Sequence, residues 1–99
     1  MAAAGKLYSV NFEVFGTVQG VFFRKYTRTK ASELRLVGWC RNTSKGTVAG
    51  IAQGPKAKLD VLKDWLRYKG SPHSRITSAV FSNEREIETL EFVAFTVKH

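Results

Sequence analysis

The segment Gly16-Thr17-Val18-Gln19-Gly20-Val21-Phe22-Phe23-Arg24 holds the residues whose types and spacing could do chemistry. Strand-like alternation stops before it and helix-like spacing starts after it, so it links a strand to a helix. Glycines let the backbone turn so that successive N–H groups point inward. Such a nest, closed by a helix N-terminus, binds an anion. Arg24 falls in the first turn of that helix, where the positive end of the dipole mildly disfavours a cation. An anion facing Arg24 would offset the repulsion, and the planar guanidinium can grip two phosphate oxygens at once. The same residues also describe a glycine-rich turn beside an ordinary surface arginine, and spacing alone does not separate the two.

Several other chemistries are excluded or disfavoured. No Gly-Lys-Ser/Thr ending marks a nucleotide P-loop, and Gly16-x-x-x-Gly20 is not a dinucleotide fingerprint. Cys40 lacks the phosphate loop and arginine that a cysteine phosphatase needs. As the single cysteine it also precludes an intramolecular disulfide and a multi-cysteine zinc site. His73 and His99 have no carboxylate at ligand spacing, so no metal and no cofactor are expected. Glu84, Glu86 and Glu88 read as a solvated acidic loop.

The elements that must position the segment follow from periodicity. Tyr8, Val10, Phe12 and Val14 alternate with Ser9, Asn11 and Glu13, giving a half-buried strand over Lys6 to Phe15. Phe23, Thr27, Ala31 and Leu34 form a helical face. Leu36 to Arg41 and Thr47 to Gln53 read as strands joined by a turn at Gly46. Gly54-Pro55 opens a second helix, with the proline at its first position, a Leu59, Leu62 and Leu66 stripe, and Gly70 at its end. Arg75 to Ser82 is a further strand. Phe92 to Lys98 closes the chain, with Val93, Phe95 and Val97 on one face. Phe12, Trp39, Trp65 and Leu59 are expected in the core.

This order predicts an α+β fold, the ferredoxin-like split β-α-β sandwich: an antiparallel sheet of four to five strands with two helices on one face. In it the first two strands lie parallel with the third between them. The loop after Phe15 and the residues around Asn42 are then neighbours in space.

At 99 residues the chain is one domain by size: a flexible tail over residues 1–6 and a folded unit over 7–99. The net charge of +8 suggests an anionic partner. Four of the eight acidic residues lie between Glu84 and Glu91, so the rest of the chain is more basic still. An RNA-recognition domain would need aromatics on its central strands. Thr47 to Gln53 has none, so no nucleic acid is expected. No apolar run suits a membrane span or a signal peptide, which makes the cytoplasm the default location. A non-catalytic anion-binding domain of this fold is the third alternative.

Gly16-x-Val18-Gln19-Gly20-Val21-x-Phe23-Arg24-x-x-Thr27 resembles the first signature of the acylphosphatases. Gly38-Trp39-x-x-Asn42-x-x-x-Gly46-Thr47-Val48 resembles their second. Gly54-Pro55, Trp65-Leu66 and Gly70-Ser71-Pro72-x-Ser74-Arg75-Ile76 resemble the family's second-half pattern. The likeness, to the small common or muscle type, covers nearly the whole chain.

The resemblance implies a metal-independent hydrolase of acyl phosphates. Arg24 would bind phosphate within a backbone cradle from Gln19 through Gly20, Val21, Phe22 and Phe23. Asn42 would orient the attacking water, with Gly16 and Thr27 in support. Thr27 is expected to hydrogen-bond the loop or the surroundings of Asn42, and Phe22 and Tyr26 to border the pocket. Inorganic phosphate and sulfate would compete, and the default state is a monomer.

Overall fold

The computed structural model describes residues 6–99, so the tail expected over residues 1–6 lies, apart from Lys6, outside the described residues. Strand β1 (Leu7–Thr17) buries Val10, Phe12 and Val14 on one face, as the alternation requires. Helix α1 (Phe23–Glu33) buries Phe23, Thr27 and Ala31, one residue per turn. Strands β2 (Val37–Asn42) and β3 (Val48–Pro55) form the expected hairpin. Helix α2 (Lys56–Asp64) continues into a π turn (Trp65–Lys69), and strands β4 (Arg75–Ile87) and β5 (Phe95–Lys98) complete the chain.

The sheet order is β4-β1-β3-β2-β5. β3 lies antiparallel between β1 and β2, which therefore run parallel to each other, as the split β-α-β arrangement demands. Val48 pairs with Val14 on one side and Asn42 on the other, so β1 and β2 end at the same edge. One expectation is corrected: the sheet is mixed, because β5 joins β2 in parallel. β4 ends beside Leu7, at the end of the sheet where β1 and β2 begin, so a strand that starts from there runs the same way as β2. Val10, Phe12, Val14, Phe23, Ala31, Leu59, Leu62, Leu66 and Phe95 share one core between the sheet and the helices.

Other boundaries moved for identifiable reasons. The acidic segment expected as a loop is partly strand: β4 runs to Ile87, pairing Ile87 with Leu7, Glu86 with Tyr8 and Arg85 with Ser9. An edge strand tolerates charges because one of its edges faces water. Pro55 ends β3, paired with Leu7, and caps α2 rather than forming its first turn. The second helix widens at its end, where Gly70 N–H donates to Trp65 O, five residues back, at 3.0 Å. Leu66 stays in the core while the Trp65 ring meets Phe23 at 5.8 Å between centroids.

Trp39, expected in the core, is half-buried on the face away from the helices, because Cys40 beside it takes the core side. Arg41 and Lys98 cover its ring. Val93 is fully exposed and precedes β5. The Gln53 amide fixes the segment before β5, accepting from Glu91 N–H at 2.8 Å and donating to its carboxylate at 2.6 Å.

Candidate active site

The loop after β1 is held against the β2–β3 hairpin by one side chain. Gln19 Nε2 donates to the carbonyls of Thr43 and Thr47, each at 2.9 Å. This is the neighbourhood predicted from topology. The hairpin is rigid in its own right. Thr47 Oγ1 donates to Glu13 at 2.6 Å, so at the 2.6 Å contact between the two threonines Thr43 Oγ1 is the donor. Thr43 Oγ1 in turn accepts from the N–H of Lys45 and of Thr47. Asn42 immediately precedes this network, so its position is fixed by the bonds that close the turn.

The loop enters α1 through two residues at positive φ. Gly20 has φ +74°, and a Cβ there would meet nothing within 4 Å, so glycine serves conformation rather than space. Phe22, the N-cap, has φ 59° and supplies no side-chain cap. The first turn of α1 holds no acidic residue. The first N–H groups of a helix have no intrahelical acceptor, and here the chain offers them no capping side chain. The first N–H groups of α1 are thus open to an acceptor arriving from outside the chain.

Val18, Gly20, Phe22, Phe23, Arg24 and Asn42 line one cavity of about 400 Å³. Arg24 Nη1 donates to Lys98 O at 3.0 Å and lies 3.4 Å from His99 Nδ1. The end of β5 thus orients the guanidinium, and the other guanidinium nitrogens have no acceptor among the described residues. Asn42 Oδ1 is buried and accepts no hydrogen bond from the described residues. An unpaired buried acceptor costs about 1–3 kcal/mol, which favours a donor arriving from the cavity.

Cys40 stands behind Arg24, its thiol 3.9 Å from the Arg24 carbonyl. Burial pushes the thiol up to about 12, although Arg24 and Arg28 pull the other way. It therefore stays protonated near neutral pH, which removes a thiolate nucleophile from the chemistry.

The remaining expected residues have other positions. Gln19 and Val21 are not among the cavity-lining residues; Gln19 spends its side chain on the hairpin, and Val21 packs on the core. Gly16 pairs with Ile76, where a Cβ would overlap the Arg75 carbonyl oxygen. Thr27 does not reach Asn42; it is fully buried and bonds Phe23 O, one turn back, at 2.8 Å. Tyr26 does not line the cavity, whereas Phe22 does and is 70% exposed.

Lys25, Arg28, Val97 and His99 line the cavity without having been singled out as site residues. Arg28 had a signal, since it lies one helical turn after Arg24 on the same side of α1. Val97 and His99 had none, because only the parallel docking of β5 on β2 brings them there.

The family model for acylphosphatases matches residues 10–97. The chain is 57% identical over 98 residues to acylphosphatase-1 of Gallus gallus, covering 99% of both chains. It is 52% identical to acylphosphatase-2 of Cavia porcellus over the full length of each. The solved structure of an acylphosphatase from Coxiella burnetii superposes with a TM-score of 0.83 at 34% identity, covering 94% of both chains. With both signatures, the sandwich fold and relatives matched end to end, this chain belongs to the acylphosphatase family.

Proposed function

We propose that the protein is an acylphosphate phosphohydrolase, cleaving the carboxyl–phosphate bond of acyl phosphates to a carboxylate and inorganic phosphate. The observation that carries this reading is a single cavity lined by Arg24, the uncapped start of α1 and the unpartnered Asn42 oxygen. In the reading, the phosphate group sits on the α1 N–H groups with the Arg24 guanidinium across two of its oxygens. Asn42 Oδ1 accepts a hydrogen bond from a water and aligns its oxygen with phosphorus. The water oxygen bonds to phosphorus, the bond from phosphorus to the acyl oxygen breaks, and the carboxylate departs with that electron pair. The water's proton passes to a phosphate oxygen, because an amide does not titrate usefully near neutrality.

So few groups suffice because a carboxylate leaves without a strong general acid. What remains is positioning and stabilisation of charge on the equatorial oxygens. The reading includes no metal and no cofactor. The charged side chains on the cavity wall are cations, which repel a divalent ion, and no three of His, Cys, Asp and Glu cluster among the described residues. Small-molecule acyl phosphates are the partners, with phosphate and sulfate as competing anions. A cytoplasmic monomer without a nucleic-acid or membrane partner completes the proposal; no described helix is long and apolar enough to cross a membrane.

The test is phosphate release from benzoyl phosphate with and without excess chelator. Equal rates in both arms are expected. No release, or a loss that zinc or magnesium restores, would overturn the proposal.

A further inference from the structure

The cavity holds more positive charge than one phosphate needs. Arg24, Lys25 and Arg28 all line it, and among the described residues none of them has a carboxylate within ion-pair distance. Arg24 and Arg28 lie at i,i+4, and Lys25 and Arg28 at i,i+3, spacings at which like charges repel on a helix. Arg28 lines the same cavity as Asn42 at the end of β2, so it faces the sheet edge and not only solvent. Arg24 is fixed by the Lys98 carbonyl, whereas Arg28 makes no protein hydrogen bond among the described residues. The volume, about 400 Å³, falls in the range of pockets that take a whole small molecule, roughly 300–1,000 Å³. Phe22, Val18 and Val97 supply an apolar wall for the body of such a molecule.

We propose that Lys25 and Arg28 form a second anion subsite, and that the preferred acyl group carries its own carboxylate or phosphate in addition to the scissile phosphate. This deepens the proposed function and rests on the phosphate lying at Arg24. The acyl body would lie along Phe22 and Val97, with its second anion toward Arg28. Arg28 can take that anion through its planar fork, and Lys25, its ammonium 6.0 Å from the Phe22 ring centroid, adds a point charge over the same wall.

The test is calorimetric binding of four probes: benzylphosphonate and its 4-carboxy, 4-phosphono and 4-carbamoyl derivatives. In the unmodified protein at low salt, the carboxy or phosphono probe should bind about fivefold tighter than the parent, the size one partly exposed ion pair supplies. The larger gain of the two identifies the second anion. The carbamoyl probe, matched in size but neutral, should bind like the parent. The gain should shrink as salt rises from roughly 0.01 to 1 M. It should vanish in Lys25→Gln/Arg28→Gln, with helicity and Tm checked to show that the variant folds. Equal binding of parent and charged probes, an equal gain from the carbamoyl group, or a gain that survives in the double variant would overturn the subsite. Benzoyl phosphate hydrolysis separates this from the broader reading. Turnover without charge preference sinks the subsite alone, and charge preference without turnover sinks the hydrolase alone.

Discussion

The two ends of the sheet use the same residue types to opposite effect. At the end where β1 starts, charges of both signs sit together and most of the acidic groups are paired. Glu84 is held by Lys56 and Lys63, Asp60 by the same two lysines, Glu86 by Lys6, and Glu91 by Arg85. At the end where β1 and β2 finish, Arg24, Lys25 and Arg28 gather around a cavity with no acidic partner among the described residues. Paired charges on a surface satisfy one another and contribute little. Unpaired charges of one sign around a concave wall create a field that a ligand must complete. The net charge of +8 is therefore not a uniform coat. Three of its cations, Arg24, Lys25 and Arg28, stand where the backbone also presents a helix N-terminus.

Breaking the cavity end should have the largest effect. Arg24→Gln removes the fork and its charge, and turnover of benzoyl phosphate should fall roughly 1000-fold, the upper range for one preorganised donor. Arg24→Lys should recover only part of this, because a point charge cannot hold two oxygens in one plane. A Lys variant with full activity would show that charge alone matters there.

The support beneath that end should fail differently. Gly16→Ala drives a Cβ into the Arg75 carbonyl oxygen at φ +127°. Urea unfolding should show a loss of about 3 kcal/mol or more, in the range reserved for backbone collisions and severe strain. An unchanged midpoint would mean that β1 and β4 can separate there at little cost.

The paired end should respond least. Glu84→Gln should lower stability by less than about 1 kcal/mol, as for exposed pairs, and leave benzoyl phosphate turnover unchanged. The hydrogen bond from Lys63, helped by Lys56, holds the Glu84 carboxyl below its usual value of 4.5. The folded state thus binds that proton less readily than the unfolded chain. The stabilisation is complete above the ordinary carboxylate range and is lost as pH falls through the lowered folded value. Thermal melts from neutral to acid pH should converge for parent and variant; parallel curves would contradict the pairing.

Most of what positions the site was legible in the sequence because local rules dictate it. The alternation from Tyr8 to Val14, the Phe23, Thr27 and Ala31 stripe and the hairpin at Gly46 are period and turn signals. They were enough to bring Asn42 beside the loop. What escaped depended on distant partners. Glu86 and Arg85 look like loop residues until Tyr8 and Ser9 pair with them. Trp39 looks like core until Cys40 takes the inner face. Thr27 reaches the loop only at Phe23 O, where the cradle becomes helix, and does not extend to Asn42. Val97 and His99 enter the cavity through a parallel pairing that no local pattern announces. Lys25 and Arg28 read as ordinary surface cations until their lack of acidic partners is visible.

The central claim is that Arg24 and Asn42 face one phosphate with different tasks, the first holding the anion and the second the water. The most direct test measures inorganic phosphate affinity and benzoyl phosphate turnover separately in Asn42→Ala and Arg24→Gln. The account predicts that Asn42→Ala keeps phosphate affinity nearly intact while turnover falls roughly 100-fold or more, and that Arg24→Gln loses both. If Asn42→Ala, still folded, lost phosphate affinity as severely as Arg24→Gln, Asn42 would be a second phosphate ligand and the division of labour would be wrong.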